Sequence, residues 1–161
     1  SALSSAVLYG TLNLVEIVQR TSPLAMLALL PAFLLFLTAT LVVTDRSPFD
    51  IPEAEQEVVY GFITEYGGFN YAIIGVAKLV ELFALFCLAV VLFLGGFRGP
   101  VLPGVVWFLA KVGVLYLFTF TLRAVTPRIR MDQLLDLCWK GLTPLALVNL
   151  AFVVLLRTVL L

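Results

Sequence analysis

Histidine is absent from this 161-residue chain. With it go the commonest metal ligand and the usual acid–base group of neutral pH. Cysteine is nearly absent: Cys87 and Cys138 are the two present, far apart. That excludes a disulfide framework and a cysteine-rich metal cluster, and both read as small buried hydrophobes. Charge is scarce as well. Charged residues make up 12% of the chain, against about 25% in soluble domains. Ten basic residues balance ten acidic ones, which leaves no net charge to draw in nucleic acid. A basic start, short apolar core and cleavage site do not occur together, so no secretory signal is expected. No nucleophile–base constellation or metal set stands out, which argues against a free-standing enzyme.

What fills the chain is apolar sequence: 62% hydrophobic residues and a mean hydropathy of +1.12. The expectation is an all-α fold, a polytopic transmembrane helix bundle forming one membrane domain. About four full spans follow a partial N-terminal one. Residues 1–18 read as part of a helix, with Glu16 near the interface. Residues 23–44 read as a helix opened by Ser22 and Pro23, with Pro31 kinking it. Residues 45–70 are an acidic loop, 71–94 and 104–122 are helices, 123–141 are a basic loop, and 142–161 are the last helix. Each long apolar run approaches the roughly 20 residues that a span requires. The glycine-rich turn at 95–100 is not a nucleotide loop, because no strand precedes it and no Gly-Lys-Ser/Thr follows. Arg46, Arg123, Arg128, Arg130 and Lys140 fall on one side of the spans, and Arg20 and Arg98 on the other. The basic excess predicts that the acidic loop faces the cytoplasm. Arg157 lies near the end of its span and is free to snorkel.

The acidic loop is the densest charge in the chain. Asp45, Asp50, Glu53, Glu55, Glu57 and Glu65 lie there beside a single base, Arg46. Asp50 and Glu53 fit a capping-box-like helix start, with Pro52 in the first turn and Gly61 as the stop. On that helix Glu53 and Glu57 share a face and Glu55 points elsewhere. If buried, such a pair holds protons near neutral pH, since desolvation and repulsion both oppose ionisation. The alternative is a solvated acidic surface.

Three ionisable residues lie inside spans: Lys78, Glu81 and Lys111. A charge placed there costs at least roughly 2.5–3.5 kcal/mol, so it usually faces protein or water. Counting helix rise from the acidic-loop side puts Glu81 about 15 Å and Lys111 about 18 Å deep. They are expected to meet with Lys78 as a buried polar relay. The alternative is an ion pair that fixes helix packing.

Two segments carry a family resemblance. The first is Arg46-Ser-Pro-Phe-Asp-Ile-Pro-Glu-Ala-Glu-Gln-Glu, followed by Thr64-Glu65-Tyr66. The second runs Leu122-Arg-Ala-Val-Thr-Pro-Arg-Ile-Arg-Met-Asp-Gln-Leu134, followed by Trp139-Lys140. Together with Phe93-Leu-Gly-Gly96 and Trp107-Phe-Leu-Ala-Lys111 they resemble the C-terminal half of membrane subunit 1 of respiratory complex I. Looser relatives are membrane-bound energy-converting hydrogenases. The resemblance implies a prokaryotic inner-membrane subunit that joins a redox arm to an ion-pumping arm and couples electron transfer to proton or sodium translocation. It implies no cofactor bound by this chain and no activity alone. A quinone is implied at the interface with partner subunits, and iron–sulfur clusters within those partners. The implied partners are iron–sulfur and hydrogenase-large-subunit-like redox-arm subunits, antiporter-like membrane subunits and the lipid membrane; nucleic acid is not among them. By motif, Arg46, Asp50, Glu53, Glu55, Glu57 and Glu65 fall in the acceptor-chamber loop. Arg123, Arg128, Arg130 and Asp132 fall in a segment that braces it. Lys78 stands where complex I usually has an acid, and it resembles the hydrogenase-type branch. The competing reading is therefore a structural anchor of a hydrogenase or sulfur-reductase-type complex without a quinone site. A secondary transporter is disfavoured, since paired inverted repeats with broken helices are missing.

Overall fold

Proline and glycine set where the helices break. The computed structural model describes residues 1–44, 46, 49, 68–99, 103–125 and 129–160, and among them it is all-helical, with no strand. The first apolar stretch forms two short helices, α1 (Ala2–Tyr9) and α2 (Leu14–Arg20), rather than one partial span. Gly10 ends α1 at φ 70°, a left-handed conformation that glycine adopts without a Cβ penalty. Asn13 then opens α2 by accepting a hydrogen bond from the Val15 amide.

The expected second helix is likewise in two pieces, α3 (Pro23–Ala28) and α4 (Leu30–Val43). Ser22 caps α3 by accepting from the Ala25 amide at 3.2 Å. The break at Leu29 follows from Pro31, which lacks the amide that would bond back to the Leu27 carbonyl. Two helices run unbroken for a full span: α5 (Phe69–Phe93) and α6 (Gly104–Val125).

The expected basic loop is mostly helical. Helix α6 continues to Val125, and α7 (Met131–Asp136) leads through a π-helical turn (Leu137–Leu142) into α8 (Thr143–Leu160). Pro144 accounts for the wider turn. It cannot donate to the Lys140 carbonyl, and the ladder shifts by one residue ahead of it. The Thr143 hydroxyl donates to the Cys138 carbonyl at 2.7 Å within that turn. The continuous helix from Asp132 to Thr158 is apolar and long enough to cross a membrane, as are α5 and α6. The basic segment read as loop because its polar residues sit on the first turns of a helix that only later becomes uniformly apolar.

The core lies where α1, α2 and α4 meet one face of α5. Leu82, Phe86, Ala89 and Phe93 form a buried stripe along α5, the i, i+4, i+7, i+11 spacing of one helical face. Phe93 packs against Phe33 and Phe36, and Phe86 meets Tyr116 of α6 edge-on at 5.1 Å. Helix α8 packs along α1, and its fully buried Val153 joins the same core. Much of the remaining apolar surface of α5, α6 and α8 is exposed, as expected for helices whose solvent is lipid or other membrane protein.

Candidate functional site

Asp50, Glu53, Glu55, Glu57, Glu65 and Arg128 lie outside the described residues. The rest of the expected site divides between the two ends of the α5–α6 hairpin.

At the end where α5 passes into α6, Lys111 is the organising side chain. Its ammonium donates to the carbonyls of Leu94 at 2.6 Å, Gly96 at 3.1 Å and Arg98 at 3.0 Å. Lys111 lies two turns into α6, about 10 Å from its start by helix rise. It reaches back along the apolar face to the end of α5. That end carries unpaired carbonyls and the negative pole of the helix dipole, both of which favour a cation. The turn itself needs glycine twice: Gly95 and Gly96 have φ 67° and 51°. A Cβ at Gly96 would fall 2.9 Å from Val18 of α2. Arg98 completes the tie by donating to the Thr21 carbonyl at 2.7 Å.

This arrangement corrects the expected relay. Glu81 stands thirteen residues before Leu94 on the same helix, about 20 Å along the axis, and its side chain is exposed. Lys111 is hydrogen-bonded to Leu94 and so does not meet Glu81. Among the described residues Glu81 has no ion pair. The depth estimate failed because it took the ends of the two helices as level: Tyr116 packs against Phe86 and bonds Leu79, which places Lys111 nearer the turn than Glu81. Tyr116, not Lys111, lies beside the upper part of α5: its hydroxyl donates to the Leu79 carbonyl at 3.3 Å. Lys78 is half-buried and extends the face bearing Leu82 and Phe86 by one turn, while Glu81, three residues on and its neighbour on the helix surface, is exposed.

At the other end of the hairpin one residue from each resembling segment, Arg46 and Arg123, comes together. Arg46 and Arg123 line one cleft between α5 and α6, with Leu79, Leu82, Tyr116, Thr119 and Phe120 as the other walls. Arg46 is two residues beyond Thr44, the residue that caps α4, and its amide donates to the Leu41 carbonyl. Arg123 is in the last turn of α6. The cleft joins two guanidiniums to an apolar floor with a phenol and a hydroxyl. It is suited to holding an acceptor or anionic group at its mouth, and it has no nucleophile–base pair. Tyr116, Thr119 and Phe120 were missed in the sequence, although their spacing with Arg123 marks one face of a helix.

Arg130 and Asp132 are exposed at the start of α7, where the Arg130 amide donates to the Gln133 side chain at 3.4 Å. Lys140 pairs with Asp136 at 2.8 Å, with both side chains mostly solvent-exposed. Such a pair contributes about 0.3–0.5 kcal/mol. Among the described residues no group of three or more carboxylate or thiol ligands is placed to hold a metal ion.

A family model described as NADH dehydrogenase matches residues 1–154. The chain is similar to the H-type subunit of NADH-quinone oxidoreductase from Geobacillus kaustophilus, 44% identical over 156 residues, covering 93% of this chain and 46% of that protein. It is similar to an H-type subunit of the same enzyme from Geobacter sulfurreducens, 43% identical over 151 residues, covering 93% and 46%. The corresponding protein of Dehalococcoides mccartyi is 40% identical over 151 residues, covering 93% and 42%. The chain thus spans about half the length of these relatives.

Proposed function

Because the chain belongs to the NADH dehydrogenase family, we propose that it is part of the membrane subunit of a complex I-like oxidoreductase, with the acidic loop on the cytoplasmic side. One observation carries the reading: the family match runs through residues 1–154 and so includes both charged segments, 45–65 and 122–134, in one membrane-spanning chain. The subunit joins a redox arm to ion-pumping membrane subunits and has no redox centre of its own. Iron–sulfur clusters reside in the partners. A quinone is reduced in a chamber walled in part by Arg46, Asp50, Glu53, Glu55, Glu57 and Glu65.

Electron transfer in the partner changes the charge beside these carboxylates. Crowded acids at a low-dielectric boundary answer such a change by taking up or releasing protons, because desolvation and mutual repulsion already oppose full ionisation. Arg46 ties this segment to the end of α4 and faces the α5–α6 cleft, so a shift in loop charge acts directly on the hairpin.

The test is Glu57→Gln and Glu53→Gln in the assembled complex, reading NADH-driven quinone turnover and proton uptake together. Both variants are expected to lower the number of protons moved per electron pair. Normal pumping stoichiometry in both, with assembly intact, would overturn coupling and leave a structural anchor.

A further inference from the structure

The cleft between α5 and α6 has features that the coupling reading does not use. Two guanidiniums, Arg46 and Arg123, line it with no acid among the other walls. Among the described residues neither has a carboxylate within salt-bridge distance. Its depth is set by the helices. At 1.5 Å per residue the 22-residue α6 is about 33 Å long, close to the roughly 30 Å of bilayer hydrocarbon. Arg123, two residues from its end, therefore sits at headgroup level. Below it the same helix exposes Phe120 and Leu117, and α5 exposes Leu79 and Val76 alongside.

We propose that this cleft binds one anionic glycerophospholipid, its phosphate between Arg46 and Arg123 and an acyl chain laid along Leu79, Leu82 and Phe120. Charge complementarity selects the lipid. Two fixed cations favour a headgroup with net negative charge, whereas a choline headgroup brings its own cation against them. The apolar floor distinguishes a lipid from free phosphate, which would gain nothing from Leu82 or Phe120. The side-chain oxygens of Tyr116 and Thr119 lie in the cleft wall. Both donate their protons to backbone carbonyls, of Leu79 and Leu115 respectively, so neither presents an unpaired donor to the acyl chain at that depth.

The experiment is native mass spectrometry of the delipidated complex with added dioleoyl phosphatidylglycerol or dioleoyl phosphatidylcholine. Wild type is expected to retain one phosphatidylglycerol with a preference of roughly tenfold or more over phosphatidylcholine. Inorganic phosphate should not displace it. The pair R46Q/R123Q should bring the preference close to parity, and K140Q, at the same end but outside the cleft, should leave it unchanged. No preference in wild type, or a preference that survives R46Q/R123Q, overturns the proposal. One-for-one displacement by a short-chain quinone would give the cleft to the electron acceptor instead, and also overturns it. If R46Q/R123Q does not assemble, a photoreactive phosphatidylglycerol on wild type decides. Crosslinks confined to residues 76–82 and 117–123 support the site, and crosslinks elsewhere refute it. The outcome is separable from the coupling reading, since Glu57→Gln leaves every wall of the cleft intact.

Discussion

Lys111 is a charge inside a span whose ammonium binds three carbonyls. Those carbonyls close the end of α5 and the glycine turn, and removing the ammonium takes a charge-assisted partner from all three. Lys111→Met is expected to destabilise the assembled protein by on the order of 1.5–3 kcal/mol, the range for losing a charge-assisted hydrogen bond. Thermal unfolding of the purified complex checks it, and Lys111→Arg should recover part of the loss. Gly96 makes a second prediction. Alanine there meets both the left-handed backbone, φ 51°, and Val18 at 2.9 Å. Gly96→Ala should cost on the order of 1–2 kcal/mol from the backbone conformation alone, read as a lower unfolding temperature. The sequence marked both residues but not their roles. A lysine in an apolar helix suggests a buried partner, and the nearest acid in the linear count was Glu81. Carbonyls leave no mark in a sequence, so the true partners were not legible.

The elements show a similar division. Long apolar runs predict α5 and α6 well, because in lipid the backbone must satisfy itself and a helix does so over any such run. Breaks at Gly10 and Leu29 are harder to see, since glycine and proline are both tolerated in membrane helices when neighbours compensate. At Gly10 the compensation is Arg157, whose guanidinium donates to the Val7 carbonyl at 3.0 Å. Arg157 was expected to snorkel freely; it caps α1 instead. Both C-terminal ends therefore lie at one level, and α1 is held by α8. Arg157→Gln should raise amide hydrogen exchange across residues 2–10 while α5 stays as protected as before. Uniform loss of protection across both helices would show that the contact is not local. Exposed Lys140 and Asp136 give the contrasting case: Asp136→Asn should change stability by less than about 0.5 kcal/mol.

At the scale of the whole molecule, buried contacts concentrate on α1, α2, α4 and one face of α5, while α6 and α8 show mostly exposed apolar side chains. A chain spanning about half of its relatives presents such faces to whatever shares the membrane with it. Under the coupling reading, replacing the loop acids acts on pumping and replacing Lys111 acts on stability. Glu57→Gln is thus expected to leave the unfolding temperature of the complex near wild type while lowering protons moved per electron pair. Lys111→Met should do the reverse in whatever fraction assembles. Parallel measurement of both quantities on both variants checks this, and a common fall in all four would contradict it.

The long unalternating apolar runs by themselves determined that this is a helical membrane protein, because the other arrangement that satisfies its backbone in lipid, a closed barrel, needs alternating apolar and polar residues. Its two charged signatures determined the family, since long runs of specific residues at a set separation do not recur by chance. Which charges meet was decided only by the tertiary structure. Helix register and the positions of free carbonyls arise when the elements pack, and they sent Lys111 to the glycine turn, Arg157 to the end of α1, and Arg46 with Arg123 into one cleft.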